Sequence, residues 1–325
     1  MKLVGIICGG FSSEYEISLK SAKTIAANFP QNYQAVLIMM DKSGWRAQWK
    51  GEMIDFDIRT MTITDSSSAK IDAAVIYTHG DPGENGKIQA LLEMQNIPYV
   101  NSGVLASALS FDKWYCNQFL KNFGINVAKS IFLQSKNQLP LASIIEDLGL
   151  PLFVKPSDSG SSYGISKVKS INELEAALEK AFAEGNTVVI ESFLAGTEVT
   201  CGVYKRRAGI HALPLTEIAT ENEFFDFEAK YLGQSQEITP ARIADEVRDK
   251  VQEVSKFIYE LLQLRSIARI DFMLVDDVPF VIEVNTTPGF SPASLVPQMI
   301  EVDKNTIQQF WTEIFEVELQ DRYGI

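Results

Sequence analysis

Cysteine is scarce in this chain. The three present, Cys8, Cys116 and Cys201, lie too far apart for any pair to have the spacing of a metal knuckle or a redox dithiol. Their rarity excludes a disulfide scaffold and fits a reducing cytoplasm. Basic charge is short as well: 29 Lys and Arg stand against 42 Asp and Glu, a formal net charge of −13. An acidic chain repels nucleic-acid backbones and anionic lipid surfaces at long range, which makes both poor partners. A small phosphorylated ligand stays open, because a few well-placed cations dominate locally. No apolar run approaches the roughly 18 residues that a membrane-spanning helix needs. Internal repeats, low-complexity tracts and charge blocks are missing too. The opening segment MKLVGIICGG has neither the longer apolar core nor the cleavage site of an export signal, and predicts a first strand.

With 325 residues, 46% of them hydrophobic, the chain outgrows the roughly 250 to 300 residues that one core supports, so two or three lobes are expected. Leu3 to Cys8 reads as a strand, Gly9-Gly10 as a turn, and Ile17, Ala22, Ile25 and Ala26 as the buried face of a helix. Strands at Ala35 to Met40 and Ala73 to Tyr77 and a helix at Ile88 to Met94 continue the alternation, which implies a parallel sheet with helices on its faces. Ligands bind at the carboxyl ends of such strands, where Gly9-Gly10 and the loop His79 to Gly86 would meet. Beyond Val104 the pattern predicts helices, then strands at Val127 to Leu133, Leu152 to Lys155, Ile165 to Val168 and Val188 to Glu191, with a helix at Ile171 to Phe182 between the last two. A long helix is signalled by Thr239 as its cap, Pro240 at its first helical position, and Ile243, Val247, Val251, Val254, Ile258 and Leu261 at helical spacing.

The strongest chemical signal is a pair of segments, Arg269 to Leu274 and Phe280 to Asn285. Alternation puts Arg269 and Asp271 on one face of the first strand and Glu283 and Asn285 on one face of the second, while Ala268, Ile270 and Phe272 point into a core. If the strands form a hairpin, a plain two-residue turn at Asp276-Asp277 separates the two acidic residues onto opposite faces. They coincide only with an odd-numbered loop or a bulge. Two carboxylates and an amide oxygen on one face suit a hard cation such as Mg²⁺ together with phosphate oxygens. A solvated sheet face, with Arg269 in a plain ion pair, is the bland alternative. The following turn, Thr286 to Ser291, contains Gly289 and can bring backbone N–H groups to an anion.

A second signal is the segment Val154 to Gly164, in which Lys155 ends a buried strand and a loop of small residues follows. Its N–H and hydroxyl groups can wrap a phosphate, although it lacks the Gly-Lys-Ser/Thr ending of a P-loop. Glu191, at the end of an apolar strand, can accept from an exocyclic amine, or can be a surface Glu. His79, after a strand and before a glycine-rich loop, either touches substrate or is a satisfied structural histidine.

These segments, in this order, resemble the D-alanine:D-alanine ligases of the ATP-grasp superfamily. The resemblance rests on Gly9 to Ser18, His79 to Gly86, Ser102 to Leu109, Lys155 to Gly164, Glu228 to Tyr231 and Arg269 to Leu295. It implies an α/β fold of three lobes, an N-terminal parallel α/β domain over 1–102, a central ATP-grasp lobe over 103–193 and a C-terminal lobe with the metal site over 194–325. The implied reaction phosphorylates the carboxylate of one D-alanine with ATP. The amine of a second then displaces phosphate, giving the dipeptide for peptidoglycan. A homodimer is expected because relatives form one.

The resemblance also carries roles. Lys113 and Lys155 match ligands of the α- and β-phosphates, and Ser162 would cover the phosphate chain. Glu191 and the backbone at Phe193 and Leu194 match the adenine-reading hinge, Glu198 the ribose contact, and Lys230 a residue near the γ-phosphate. Asp271, Glu283 and Asn285 match the ligands of two Mg²⁺ ions, or Mn²⁺ in their place. Glu14 would hold the ammonium of the first D-alanine, tied to the lid through Ser161 and Tyr231. Arg269 and the N–H of Gly289 would stabilise oxyanion character at the acyl carbon. Ser294 and Leu295 would hold the second carboxylate, with His79 also facing substrate.

Tyr15 stands where many relatives carry His, Asn85 where Asp is common, and the stretch from Asp271 to Glu283 is one residue shorter than in many. Pro279 in that shortened hairpin cannot donate to a ladder, which favours a bulge or a three-residue loop. The alternatives are a ligase taking D-lactate or D-serine second, another ATP-grasp carboxylate:amine ligase, and a silent nucleotide-binding relative. Tyr231 argues against the lactate form, and Glu14, Ser161 and Tyr231 against a different amine ligase. Retention of Arg269 and both acidic residues argues against silence. Tyr231→Phe is therefore expected to raise activity with D-lactate relative to D-alanine at lower pH. An unchanged preference in a two-substrate competition assay refutes that role for Tyr231.

Overall fold

The computed structural model describes residues 1–160, 163–220 and 235–325. Three sheets organise it. The first is seven-stranded, in the order β5-β4-β3-β2-β1-β6-β7. Its centre is parallel and apolar: β1 (Lys2–Gly9) pairs with β2 (Tyr33–Asp41) and β6 (Ala73–Ile76), and β7 (Tyr99–Val100) follows β6. Every residue of β1 except Lys2 is buried, as a strand covered on both faces must be. Helices α1 (Tyr15–Ala27), α2 (Lys87–Met94) and α3 (Val104–Phe111) connect these strands onward.

The expected parallel sheet gains an antiparallel edge that the β/α alternation did not register. At Asp41 the chain turns back over two residues, with Ser43 N–H donating to Asp41 Oδ1 at 2.7 Å, and Gly44 takes a positive φ of 138°. β3 (Gly44–Trp49), β4 (Glu52–Asp57) and β5 (Thr62–Ile63) then meander outward.

Helix α4 (Lys113–Lys121) leads into the second sheet, ordered β10-β9-β11-β8. It comprises β8 (Ser130–Leu133), β9 (Leu152–Pro156), β10 (Ser166–Val168) and β11 (Val188–Ser192). Helices α5 (Leu141–Leu148) and α6 (Ile171–Glu184) bury Ile144, Leu174, Leu178 and Ala181 against Leu152, Val154 and Ile190.

The third sheet runs β15-β14-β12-β16-β17, with β13 also on β12. Its strands are β12 (Thr197–Arg206), β13 (Gly209–Ala212), β14 (Thr216–Thr220), β15 (Ser235–Ile238), β16 (Ile267–Val275) and β17 (Val278–Asn285). Helix α7 (Asp245–Leu261) covers one face with Val247, Val251 and Ile258, which pack with Ala268, Ile270 and Phe272 as the alternation required.

This helix corrects one expectation. Thr239 and Pro240 do not cap it; it begins at Asp245, after Ala244. Thr239 Oγ1 is instead bonded to Thr216 Oγ1 at 2.6 Å, and Ala241 N–H donates to Leu215 O at 2.8 Å. Tertiary hydrogen bonds to β14 and its approach have taken the groups that a helix start would use.

The chain ends by returning to the first sheet. α8 (Leu295–Val302), α9 (Ile307–Phe315) and a π-helical turn (Glu316–Asp321) supply Val296, Met299, Phe310, Trp311, Phe315 and Leu319 to a cluster with Val4, Ile6 and Val75. Phe290 stacks on Phe310 at 5.7 Å and meets Trp311 at 5.1 Å. Full burial of each such side chain is worth roughly 1.5–3 kcal/mol, so this cluster fastens the carboxyl-terminal lobe to the amino-terminal one.

Candidate active site

Two cavities meet among the three sheets. The larger, about 370 Å³, lies between the first and third sheets and is lined by Glu14, His79, Glu84, Arg269, Asn285 and Ser294 among others. The smaller, about 140 Å³, lies between the second and third sheets, with Lys155, Glu191, Leu194, Glu198, Asp271 and Met273 in its wall. Lys113, Ser159, Gly160 and Glu283 belong to both. A group bound in one cavity therefore meets a group bound in the other at a wall made of these four residues.

The β16–β17 hairpin forms the floor. Its turn is the two-residue Asp276-Asp277, both at positive φ (49° and 63°), with Val275 opposite Val278. A regular ladder from there would pair Asp271 with Ile282. The register shifts between Asp271 and Phe272, Ile282 is bulged out, and Asp271 comes to face Glu283 while Arg269 faces Asn285. Of the two solutions expected from the sequence, the protein uses the bulge.

Asp271 is the electrostatic centre of this floor. Arg269 grips it with a two-pronged bond, Nε to Oδ1 at 2.8 Å and Nη2 to Oδ2 at 2.7 Å. Thr200, directly opposite on β12, donates to Oδ1 at 2.5 Å, and Asn285 Nδ2 to Oδ2 at 3.1 Å. Among the described residues no cluster of three His, Cys, Asp or Glu forms a closed metal cage. Two facing carboxylates and an adjacent amide make an all-oxygen donor set that fits Mg²⁺, which takes few protein ligands and completes its shell with phosphate oxygens and water.

The cations are placed by local structure. Asp112 caps α4 by accepting from Trp114 and Tyr115 N–H at 3.1 and 3.0 Å, and Ser157 Oγ donates to the same oxygen at 2.5 Å. Lys113 is thereby held at the first helical position. Its Nζ lies 2.5 Å from Ser159 O and 3.6 Å from Glu283 Oε2. Lys155 opposes Val189 across β9 and β11, so Glu191, two residues on, shares its face, and the pair closes at 2.7 Å. Leu194 and Glu198 line the same cavity. The Phe193 ring turns to Phe153, at 6.0 Å, and under Lys167, at 4.2 Å.

On the other side Glu14 follows the Gly10 to Ser13 turn. A Cβ on Gly160 would lie 2.7 Å from Glu14 Oε2 and one on Gly80 3.3 Å away, so glycine at both positions lets two loops close on this carboxylate. His79 is 4% exposed and lines the larger cavity, with Nε2 3.3 Å from Ser21 Oγ. Burial holds its pKa below the ordinary histidine range. Gly289, Ser294 and Leu295 stand together at the start of α8, where Ser291 N–H donates to Ser294 Oγ at 3.0 Å. Ser161, Ser162, Lys230 and Tyr231 lie outside the described residues.

The cavities also contain residues that sequence reasoning passed over. Ser159, Gly160 and Glu84 fall inside glycine-rich segments whose composition signals a phosphate or substrate loop without singling out these residues. Ser110 and Glu237 carry no sequence signal, since they reach the larger cavity from α3 and β15 only through the fold.

Three α/β sheets, with a cavity between the second and third that holds Lys155 and Glu191 and an acidic hairpin as its floor, are the architecture of the ATP-grasp ligases. Residues 3–102 match the family described as D-ala D-ala ligase N-terminus, and residues 119–316 the one described as D-ala D-ala ligase C-terminus. The chain belongs to the D-alanine–D-alanine ligase family. It is 42% identical over 323 residues to the D-alanine–D-alanine ligase of Azobacteroides pseudotrichonymphae, covering 97% of this chain and 99% of that one. Among solved structures, the VanG D-Ala:D-Ser ligase of Enterococcus faecalis superposes with a TM-score of 0.87 at 29% identity, covering 98% and 99% of the two chains. The Bacillus anthracis D-alanine–D-alanine ligase complexed with ATP gives 0.80 at 29% identity, covering 99% of each.

Glu84 is a strongly perturbed carboxyl in the larger cavity. Burial pushes it up to about 8, the charge of Glu14 adds to this, and the Gly80 N–H, 2.7 Å from Oε2, opposes it. A folded value near 8 against an ordinary 4.5 means the fold tolerates the protonated form. The associated stability is present in full below the ordinary value and is lost as pH rises through the folded one. Glu84→Gln removes this dependence. In urea denaturation, the variant's stability relative to wild type should grow between about pH 5 and about pH 9. A difference constant across that range refutes the raised value.

Proposed function

We infer that this protein joins two molecules of D-alanine into a dipeptide using ATP, for peptidoglycan precursor synthesis. The observation that carries this reading is the shared wall. Lys113, Ser159, Gly160 and Glu283 face both cavities, so a nucleotide in the smaller one and an amino acid in the larger one bring a terminal phosphate and a carboxylate together. Family membership supplies the substrates.

In the first step a carboxylate oxygen of D-alanine bonds to the γ-phosphorus and the bond to the β-phosphate oxygen breaks, releasing ADP. In the second the amine of another D-alanine attacks the acyl carbon. A C–N bond forms, the C–O bond to phosphate breaks, and the nitrogen gives up a proton. Lys113 and Lys155 bind the α- and β-phosphates. Lys155 and Glu191 lie buried as a pair in the nucleotide cavity, with Glu191 facing the adenine edge, Phe193 and Leu194 contributing backbone beside it, and Glu198 at the ribose. Ser162 and Lys230 take the outer phosphates by resemblance alone.

Asp271, Glu283 and Asn285 would hold Mg²⁺, which when bound neutralises charge on the phosphate oxygens. Glu14 pairs with the first ammonium, and by resemblance Ser161 and Tyr231 tie that contact to the lid. Arg269 and the Gly289 N–H face the acyl oxygen, where aimed donors are worth most. Ser294 and Leu295, at the positive end of α8, suit the second carboxylate. His79, with its ring already bonded to Ser21, presents its remaining surface to the amino-acid cavity. The same reading places the enzyme in the cytoplasm as a homodimer. Among the described residues no helix is long and apolar enough to cross a membrane.

ADP release, followed by coupled assay with D-alanine, L-alanine, D-lactate and D-serine, tests the reading. Turnover should require D-alanine, and D-serine belongs in the panel because a D-Ala:D-Ser ligase has so similar a fold. ATP turnover independent of D-alanine overturns it. Glu283→Gln, which changes the floor and not the core, should lower kcat by on the order of 100-fold or more while the protein remains folded. Near-normal activity refutes the metal assignment.

A further inference from the structure

The turn that presents Gly289 belongs to the third sheet's lobe, yet it is held from the first. Tyr77, immediately after β6, donates its hydroxyl to Pro288 O at 2.9 Å. Phe290 N–H donates to Ser21 Oγ on α1 at 3.1 Å. The residues on either side of Gly289 are thus each bonded to a buried side chain of the opposite lobe; Ser21 is 0% and Tyr77 2% exposed. The fixing extends further. Asn101 Nδ2 donates to Thr287 Oγ1 at 3.1 Å. The Phe290 ring is wedged among Tyr77, Phe310 and Trp311 at 6.0, 5.7 and 5.1 Å.

Proton inventory orients this network. A serine hydroxyl has one proton to give. Ser21 Oγ accepts from Phe290 N–H, so its own proton is available to His79 Nε2, 3.3 Å away. A buried ring is favoured neutral, and a neutral Nε2 lone pair accepts that proton. Each group in the chain has a complementary partner, and the chain ends on the backbone of the turn.

We propose that Ser21 and Tyr77 are positioning residues for the ligation: by gripping Phe290 N–H and Pro288 O from the amino-terminal lobe, they fix the Gly289 N–H at the reacting acyl carbon. The proposal rests on the ligase reading and on the role given there to Gly289. An N–H aimed at developing negative charge contributes fully only when its position is set in advance. Residues of this kind are felt in the transition state more than in ground-state binding.

The test compares Ser21→Ala, Tyr77→Phe and the control Tyr33→Phe. Tyr33 lies in the same apolar cluster but bonds Ile325 O at 2.8 Å, away from the turn. Each full-length variant is assayed for kcat, for KM toward ATP and D-alanine, and for affinity toward a tetrahedral phosphinate analogue of the dipeptide and toward the dipeptide itself. Ser21→Ala and Tyr77→Phe should lower kcat by roughly 10- to 100-fold while KM for ATP moves less than about 2-fold. Phosphinate affinity should fall in parallel with kcat and dipeptide affinity should hold. The double variant should lose little more than either single one, because both grip the same turn. Tyr33→Phe should match wild type. Wild-type kcat in both turn variants overturns the proposal, as does an equal loss of ATP and dipeptide affinity in all three. If wild-type enzyme binds the phosphinate no more tightly than the dipeptide, the role of Gly289 itself fails, and the clamp with it.

Discussion

One backbone irregularity decides the geometry of the site. The hairpin closes through a two-residue turn, which by itself would pair Asp271 with Ile282 and send Glu283 to the apolar face against α7. Extrusion of Ile282 restores Glu283 to the face of Asp271 and aligns Arg269 with Asn285. The bulged residue is not left unsupported: its carbonyl accepts from Asn117 Nδ2 at 3.3 Å, and Val281 N–H donates to Asn126 O at 2.9 Å. The central lobe therefore holds the strand at the point where its register slips. Lys113, on the same helix as Asn117, reaches Glu283 from there. Hairpin, helix and dividing wall form one mechanical unit.

The second constraint is charge. The molecule carries −13 overall, yet buried charges of the site come in opposite pairs: Lys155 with Glu191, Lys113 with Glu283, Arg269 with Asp271. Pairing is what makes burial tolerable, since an isolated charge in a low-dielectric interior costs several kcal/mol. Each pair contains one group suited to phosphate or acyl oxygen and one suited to a metal or a base. The site is thus nearly neutral within itself, and an arriving anion meets local cations that the overall charge conceals. The buried thiols stay outside this chemistry. Burial pushes Cys8, Cys116 and Cys201 up to about 12, as befits core residues.

The cluster around Trp311 couples the lobes. Carboxyl-terminal helices pack on the first sheet, so residues nearly 300 positions apart share one core, and the turn carrying Gly289 is trapped between them. A substrate in the larger cavity consequently touches both lobes at once, and its environment depends on how firmly that core is packed.

Strand period is a local property, and what depends on it was legible from residue order. Asp271, Glu283 and Asn285 could be placed on one face, and the need for a bulge or a longer loop inferred, because side-chain alternation is fixed by the backbone. The same holds for the apolar β1, for Lys155 at a strand end, and for the buried stripe of α7. Signals that compete with distant partners failed. Thr239 has the chemistry of a cap, but Thr216 took its hydroxyl. β3 to β5 were missed because their turns depend on single side chains such as Asp41, and not on a long hydrophobic pattern. Lys113 has no local motif, and only resemblance singled it out. Residue order thus specified which chemistry the chain carries and on which face of each element it stands. The choice between bulge and longer loop, the wall shared by two cavities and the grip of Ser21 and Tyr77 on the Gly289 turn came from packing. Each joins groups from separate lobes, and no periodicity along the chain records a distance across an interface.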